Sequence, residues 1–444
     1  MYKESNITFK GINRLAIPAI ITGIAEPLLS ITDTAIVGNI DINPIESLAA
    51  VGIAGSFISA LIWILAQTRS AISAIVGKYV GAKKLHEIAT LPSQIIAINL
   101  VLSAIIYFVS NYFATEIFQL YNAKNIVLTY SVEYYKIRVY GFPLTLFIFS
   151  IFGVFRGLQN TFWPMIISIV GVSINVLLDF ALVYGIEGYI EPMNIRGAAW
   201  ASVIAQAIMA LLALILFLKK TPFSIKFSFP FNKEIKNILS ISFNLIIRAI
   251  ALNVALFLAN SYATKYGDNY IAAQTIAFQI WIFFAFFIDG YASVGNIVSG
   301  KLLGEKNFKT MKILSVRLSK YSTIISTLLV VVCVIFYVPI GKLFSQEPLV
   351  LQSFYGVFWI VLAMQPINAI AFVFDGIYKG LAEAVTLRNL LLIATFLGFV
   401  PALLIGDYFD LKLTGIWIAF TVWMFIRAVI LVIKFRKKYV LKNP

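Results

Sequence analysis

The sequence predicts an all-α polytopic membrane protein. It would have twelve transmembrane helices in two six-helix lobes, related by a pseudo-two-fold axis along the membrane normal. Three observations predict this. Of the 444 residues, 60% are hydrophobic and 12% charged, where soluble domains average about 45–50% and about 25%; mean hydropathy is +0.91. Apolar runs of about 20 residues or more recur along the chain, each long enough to cross about 30 Å of hydrocarbon. The chain also repeats itself at an offset of 223 residues: Ala49-Ala50 matches Ala272-Ala273, Gly77-Lys78 matches Gly300-Lys301, Pro143 matches Pro366, and Gly153 and Gly157 match Gly376 and Gly380. After a slip of five residues, Gly197 matches Gly415 and Lys219-Lys220 matches Lys437-Lys438. Six spans per copy is an even number, so both copies enter the membrane in the same direction and the axis relating them is parallel to its normal.

Helices that are apolar all round show little periodicity, so run length and punctuation place the elements. Residues 1–14 are polar and carry Lys3, Lys10 and Arg14. They lead directly into the first span, 14–38, which is too long for the apolar core of a signal peptide. Pro18 and Pro27 lie in that span; each removes a backbone hydrogen bond and permits a bend. The spans 47–76, 89–110, 131–155, 163–185 and 197–218 complete the first copy. The polar stretch 219–237 then joins the copies. Its Phe223, Phe227, Phe229 and Phe231 suit either an amphipathic piece along the membrane interface or a plain tether. The second copy follows with spans 238–265, 269–299, 318–340, 352–376, 388–406 and 414–433. The domains are therefore 1–218, 219–237 and 238–444.

Loop charge sets the orientation. With the N-terminus inside, cytoplasmic segments carry 24 Lys and Arg residues and external loops carry five: Lys124, Arg196, Lys265, Lys342 and Lys412. Lys320 sits at an inner span end, Lys136 and Arg138 at an outer one. This bias places both termini in the cytoplasm. The net charge of +15 is thus a topological signal and not a nucleic-acid footprint. His86 is the only histidine and Cys333 the only cysteine. A histidine metal cluster, a Ser–His triad and an internal disulfide are therefore not expected. Neither enzymatic activity nor a cofactor is expected.

An ionisable group at mid-bilayer costs at least about 2.5–3.5 kcal/mol, so each one needs a reason. Asp33 and Asp179 fall in the external halves of the first and fifth spans. Asn175 precedes Asp179 by four residues and shares its helix face. Thr34 and Ser202 add hydroxyls nearby. If these helices line one cavity, two carboxylates in low dielectric cannot both stay charged without a large penalty. The pair would bind a proton or Na+, the metal ligands then being Asp33, Asn175 and Asp179. Glu26, beside Pro27, is a weaker candidate. In the second copy Asp289, Asp375 and Arg248 form a possible second site; an Arg248–Asp289 pair would leave Asp375 as the functional acid. Arg69 and Arg427 suit snorkelling or structural roles. Phe147, Phe149, Trp281, Phe284 and Phe287 could wall a cavity for flat cations, though core packing explains aromatic residues as well.

These residues resemble a known family. Glu26-Pro-Leu-Leu-Ser-Ile-Thr-Asp33-Thr-Ala-Ile-Val-Gly38 is similar to the first helix of MATE (multidrug and toxic compound extrusion) transporters of the DinF-like branch. The resemblance continues through Gly77-Lys-Tyr-Val-Gly81-Ala, Phe155-Arg-Gly-Leu-Gln-Asn-Thr161, Asn175-Val-Leu-Leu-Asp179, Gly197-Ala-Ala-Trp-Ala-Ser202, Ile288-Asp289-Gly290 and Phe374-Asp375-Gly376. It covers essentially the whole chain in order.

The resemblance implies two lobes around a central cleft. It also implies cation-driven antiport, with H+ or Na+ as the coupling ion, that exports bulky, often cationic organic molecules. It gives Asp33, Asn175 and Asp179 the coupling role and Pro18 the helix bend on protonation. Asp375 would be the second-lobe acid of the Na+-coupled branch. Ser202 stands where relatives often carry Thr. The expected setting is a monomer in a bacterial inner membrane. A flippase for lipid-linked oligosaccharides is the alternative; it calls for a strongly cationic cavity, which Asp33 and Asp179 oppose.

Overall fold

A computed structural model describes residues 7–40 and 43–441; the side chains of Glu26 and Ser30 lie outside the described residues, and with them the question of Glu26 as a site residue. The chain is helical almost throughout. The first copy contains α1 (Phe9–Val37), α2 (Pro44–Leu65), α3 (Gln67–Gly81), α4 (Leu91–Tyr112), α5 (Ala114–Leu120), α6 (Asn125–Arg138), α7 (Gly141–Gly157), α8 (Phe162–Val183) and α9 (Asn194–Lys220). The second contains α10 (Glu234–Tyr266), α11 (Asp268–Gly304), α12 (Phe308–Ile335), α13 (Tyr337–Phe344), α14 (Pro348–Ala363), α15 (Gln365–Gly380), α16 (Ala384–Ile393), α17 (Val400–Tyr408) and α18 (Lys412–Phe435). A six-residue π-helical segment, Ala394–Phe399, joins α16 to α17.

Ten stretches are long and apolar enough to cross a membrane, and two bent pairs raise the number to twelve among the described residues. Those pairs are α6 with α7, bent by 46°, and α14 with α15, bent by 51°. They start at Asn125 and Pro348, in the 223-residue register of the repeat. The duplication therefore preserved a broken fourth span in each copy. Helix α12 departs from the expected boundary. It begins at Phe308, so Lys309, Lys312 and Arg317 lie on the first turns of the helix and not in a loop. Helix α1 runs continuously through Pro18 and Pro27.

The chain forms two compact units. One comprises Ile21–Val76 and Lys84–Leu239; the other comprises the stretch up to Ile20, Gly77–Lys83 and the chain from Ser240 onward. The first unit packs α8 on α9, α4 on α7 and α2 on α6; the second packs α17 on α18, α12 on α15 and α11 on α14. Each pairing in one list is the repeat-related counterpart of a pairing in the other.

The matched glycines explain part of this packing. Small residues four apart let membrane helices approach closely. A Cβ at Gly153 would lie 2.9 Å from the Arg69 carbonyl oxygen, and one at Gly157 would lie 2.5 Å from Val76 Cβ. In the second unit a Cβ at Gly376 would lie 2.0 Å from the Ala292 oxygen, and one at Gly380 would lie 2.2 Å from the Asn296 oxygen. At Gly380 the obstacle is backbone, which cannot rotate away. Gly380→Ala is expected to destabilise the protein by about 1–3 kcal/mol, read as a lower unfolding temperature in detergent.

The segment between α9 and α10 is extended, not helical. Buried Gln94 of α4 anchors it: Nε2 donates to the carbonyls of Ser228 (2.7 Å) and Pro230 (3.0 Å), and Oε1 accepts from the Asn232 N–H (2.8 Å). Phe227, Phe229 and Phe231 alternate on one face, exposed, with their rings in mutual edge contact.

Candidate functional site

Helix α8 sets the centre of the site. Asn175 and Asp179 are one helical turn apart and both fully buried. Gly197, at the start of α9, lies so close to the end of α8 that a Cβ there would sit 2.5 Å from the Leu182 oxygen. That contact brings Ser202 of α9 beside Asn175, oxygen to amide at 3.2 Å. Asp33 of α1 completes the group, accepting from the Ser202 hydroxyl at 2.9 Å.

One end of the Asn175 amide faces both carboxylates, so that end is the nitrogen, the only one of the two able to satisfy acceptors. Nδ2 donates to Asp33 Oδ1 at 3.1 Å and to Asp179 Oδ2 at 3.2 Å. The carboxyl groups lie within hydrogen-bonding reach of each other. Asp179 Oδ1 is buried with no hydrogen-bond partner. A buried carboxylate oxygen without a donor is costly. A proton on this pair would supply the missing donor.

Two residues not singled out as site members join this cluster from α6. Tyr134 is buried and lines the same cavity as Arg138. Arg138 is close enough to act electrostatically on both acids. Leu29, Asp33, Tyr134, Arg138, Asn175, Ser202 and Gln206 line one cavity. A second cavity, with Arg69, Phe149 and Phe152 in its wall, shares Leu29, Gln206 and Met209 with the first. The sequence did hold a signal for Arg138, a basic residue inside the span 131–155. Its place at the outer end of that span put it only in the loop-charge balance. The Arg69 guanidinium lies over the Phe149 ring, 5.4 Å from the centroid. Thr34 lines a separate groove with Ile31 and Asn39 and is not part of the cluster.

In the second unit the expected Arg248–Asp289 pair does not form. Arg248 Nη2 bonds Asp375 Oδ2 at 2.6 Å. Lys379 Nζ lies 3.5 Å from the same oxygen, and Arg427 Nη2 lies 3.9 Å from Oδ1. Asp375 is therefore already surrounded by three cations. Asp289 is exposed on α11. Asp375 and Lys379 are one turn apart on α15, and Asp289 is close enough to act electrostatically on Lys379 without bonding Arg248. Arg427 also lies over Trp423 (4.9 Å) and Phe372 (5.7 Å). Among the described residues no group of three or more His, Cys, Asp or Glu side chains could hold a metal ion.

A twelve-span helical chain built from two repeats, with an acid-and-amide cluster inside one unit, has the architecture of a membrane transporter. Its fold matches a solved MATE in the bent conformation with a TM-score of 0.89 at 21% identity, covering 96% of this chain and 94% of that one. It also matches the outward-facing conformation of a multidrug resistance MATE family transporter of the MOP superfamily with a TM-score of 0.88 at 21% identity, covering 98% and 96%. The MatE family model matches residues 18–181 and 245–404. The chain belongs to the MatE family.

Its relatives include the DNA damage-inducible protein F of Escherichia coli (strain K12), 24% identical over 97% of this chain and 92% of that protein. Protein DETOXIFICATION 43 of Arabidopsis thaliana is 28% identical over 67% of this chain. The chain spans about half the length of two of its plant relatives, 55% of DETOXIFICATION 43 and 56% of DETOXIFICATION 42.

Proposed function

We propose that this protein is a proton-coupled antiporter that exports organic amphiphiles by alternating access. It acts as a monomer in a bacterial inner membrane, with both termini in the cytoplasm. The coupling site is Asp33, Asn175, Asp179 and Ser202. One observation carries the reading: two buried carboxyl groups share a single amide donor, and one of their oxygens has no partner. Proton entry from outside satisfies that oxygen and removes a charge from the interior. The pair then presents a different charge to the cargo, and a ligand shifts a conformational equilibrium only through such a difference. The membrane potential adds about 2.3 kcal/mol per charge per 100 mV.

The alternative ion, Na+, needs a shell of hard oxygens. Asn175 turns its nitrogen to the carboxylates and so withholds its oxygen. That favours H+. Reconstitution in proteoliposomes tests the reading. An imposed pH gradient is expected to drive a fluorescent cationic dye, whereas a Na+ gradient of equal size leaves it unmoved. Transport driven by Na+ alone would replace the proposed ion.

A further inference from the structure

The segment 221–233, which follows α9, is held at a fixed depth. Its anchor, Gln94, is fully buried in the first turn of α4, immediately before Ile95 and Ile96. The three bonds from that amide to Ser228, Pro230 and Asn232 therefore set the segment level with the end of an apolar span, and not out in the water. Asn232 Nδ2 adds a bond to the Glu87 carbonyl at 2.9 Å. Lys220, where α9 ends, lies over Trp163 in the first turn of α8, 5.6 Å from the ring centroid. Tryptophan and lysine at helix ends mark the membrane interface.

At this level Phe227, Phe229 and Phe231 are 44%, 73% and 56% exposed, and their rings pack on one another at 5.0–6.0 Å. A contiguous apolar patch left uncovered marks an interaction surface. The surrounding charge selects what covers it. Residues 219–237 carry five lysines, Lys219, Lys220, Lys226, Lys233 and Lys236, and one acid, Glu234. Glu234 is buried and accepts from Asn237 at 2.6 Å. Glu87, on the neighbouring turn, already pairs with Lys84 at 2.8 Å and Lys233 at 3.3 Å. Lys219, Lys226 and Lys236 are exposed.

We propose that this segment is a docking surface for anionic phospholipid: Phe227, Phe229 and Phe231 enter the leaflet at this face, and Lys219, Lys226 and Lys236 pair with its headgroup phosphates. A piece with an apolar side and a basic rim lies in the interface plane, held by its buried apolar area and by attraction to anionic lipid. An acidic protein partner would match the lysines but not the depth at which Gln94 holds the rings. The inference needs only that the chain spans a membrane; it uses neither the coupling ion nor the cargo. On the proposed topology the leaflet is the cytoplasmic one.

Lipid-borne quenching tests it. Cys333, the only cysteine, is changed to serine, and a bimane fluorophore is attached at Phe229→Cys in the full-length protein. The nanodiscs contain phosphatidylcholine and phosphatidylglycerol. A nitroxide on the acyl chain close to the headgroup is carried by one lipid or the other at equal mole fraction. Both lipids are expected to quench the label, with phosphatidylglycerol at least about twofold steeper because the lysines enrich it locally. Lys219→Gln/Lys226→Gln/Lys236→Gln is expected to bring the two slopes together while both lipids still quench. A label quenched by neither lipid would place the ring in water or against protein and overturn the proposal. Equal slopes with the lysines present, or a phosphatidylglycerol preference that survives their removal, would do the same.

Discussion

Asp33→Asn and Asp179→Asn are each expected to reduce pH-gradient-driven dye export to the level of empty proteoliposomes, while the unfolding temperature holds or rises. The two readouts move apart for one physical reason. The carboxyl pair carries charge in the interior with too few donors: Asn175 serves both acids and Asp179 Oδ1 has none. Replacing one acid by its amide removes a buried charge, which relieves the fold. On the proposed mechanism the same change removes the group whose occupancy would distinguish the loaded from the empty site. Coupling between two ligands of one protein is typically worth about 1–3 kcal/mol, a 5- to 150-fold change in affinity. That linkage disappears when the ion has nowhere to bind. A variant that transports normally would show that Asp33 and Asp179 only hold the helices together.

Asp375→Asn is expected to do the opposite. Here one acid faces Arg248, Lys379 and Arg427, at 2.6, 3.5 and 3.9 Å. Removing the anion strands three cations in the interior of the second unit. Breaking a buried ion pair by deleting one partner costs about 3–5 kcal/mol, because the remaining charge is uncompensated. The variant is expected to unfold at much lower temperature in detergent and to reach the membrane poorly. A second change, Arg248→Met, is expected to restore part of the loss, since it removes one stranded charge and keeps the side-chain volume. If Asp375→Asn is as stable as wild type yet inactive, the second unit holds a working acid and the ion network is not structural.

The contrast between these two acids was only half legible in the sequence. Run length, loop charge and the 223-residue register are one-dimensional signals, and they placed the twelve spans and the symmetric fourth helices. The four-residue spacing of Asn175 and Asp179 fixes a shared face on any helix, so that pair could be read directly. Choosing the partner of Arg248 was different. It depends on how α10, α11 and α15 rotate about their own axes, and helices apolar on every side leave no stripe to reveal that rotation. The same ignorance hid Arg138, whose direction is set by the bend between α6 and α7, and it placed Thr34 in the cluster when it faces a neighbouring groove.

Proton release on ligand binding tests the central claim most directly. Dansylcadaverine would be added to weakly buffered, purified protein in nanodiscs with a pH-sensitive dye present and no gradient. Wild type is predicted to release protons as the ligand saturates, and the Asp33→Asn/Asp179→Asn double variant to release none. Saturable binding to wild type without proton release, or equal release from the double variant, would contradict an exchange of proton for cargo at these two carboxyl groups.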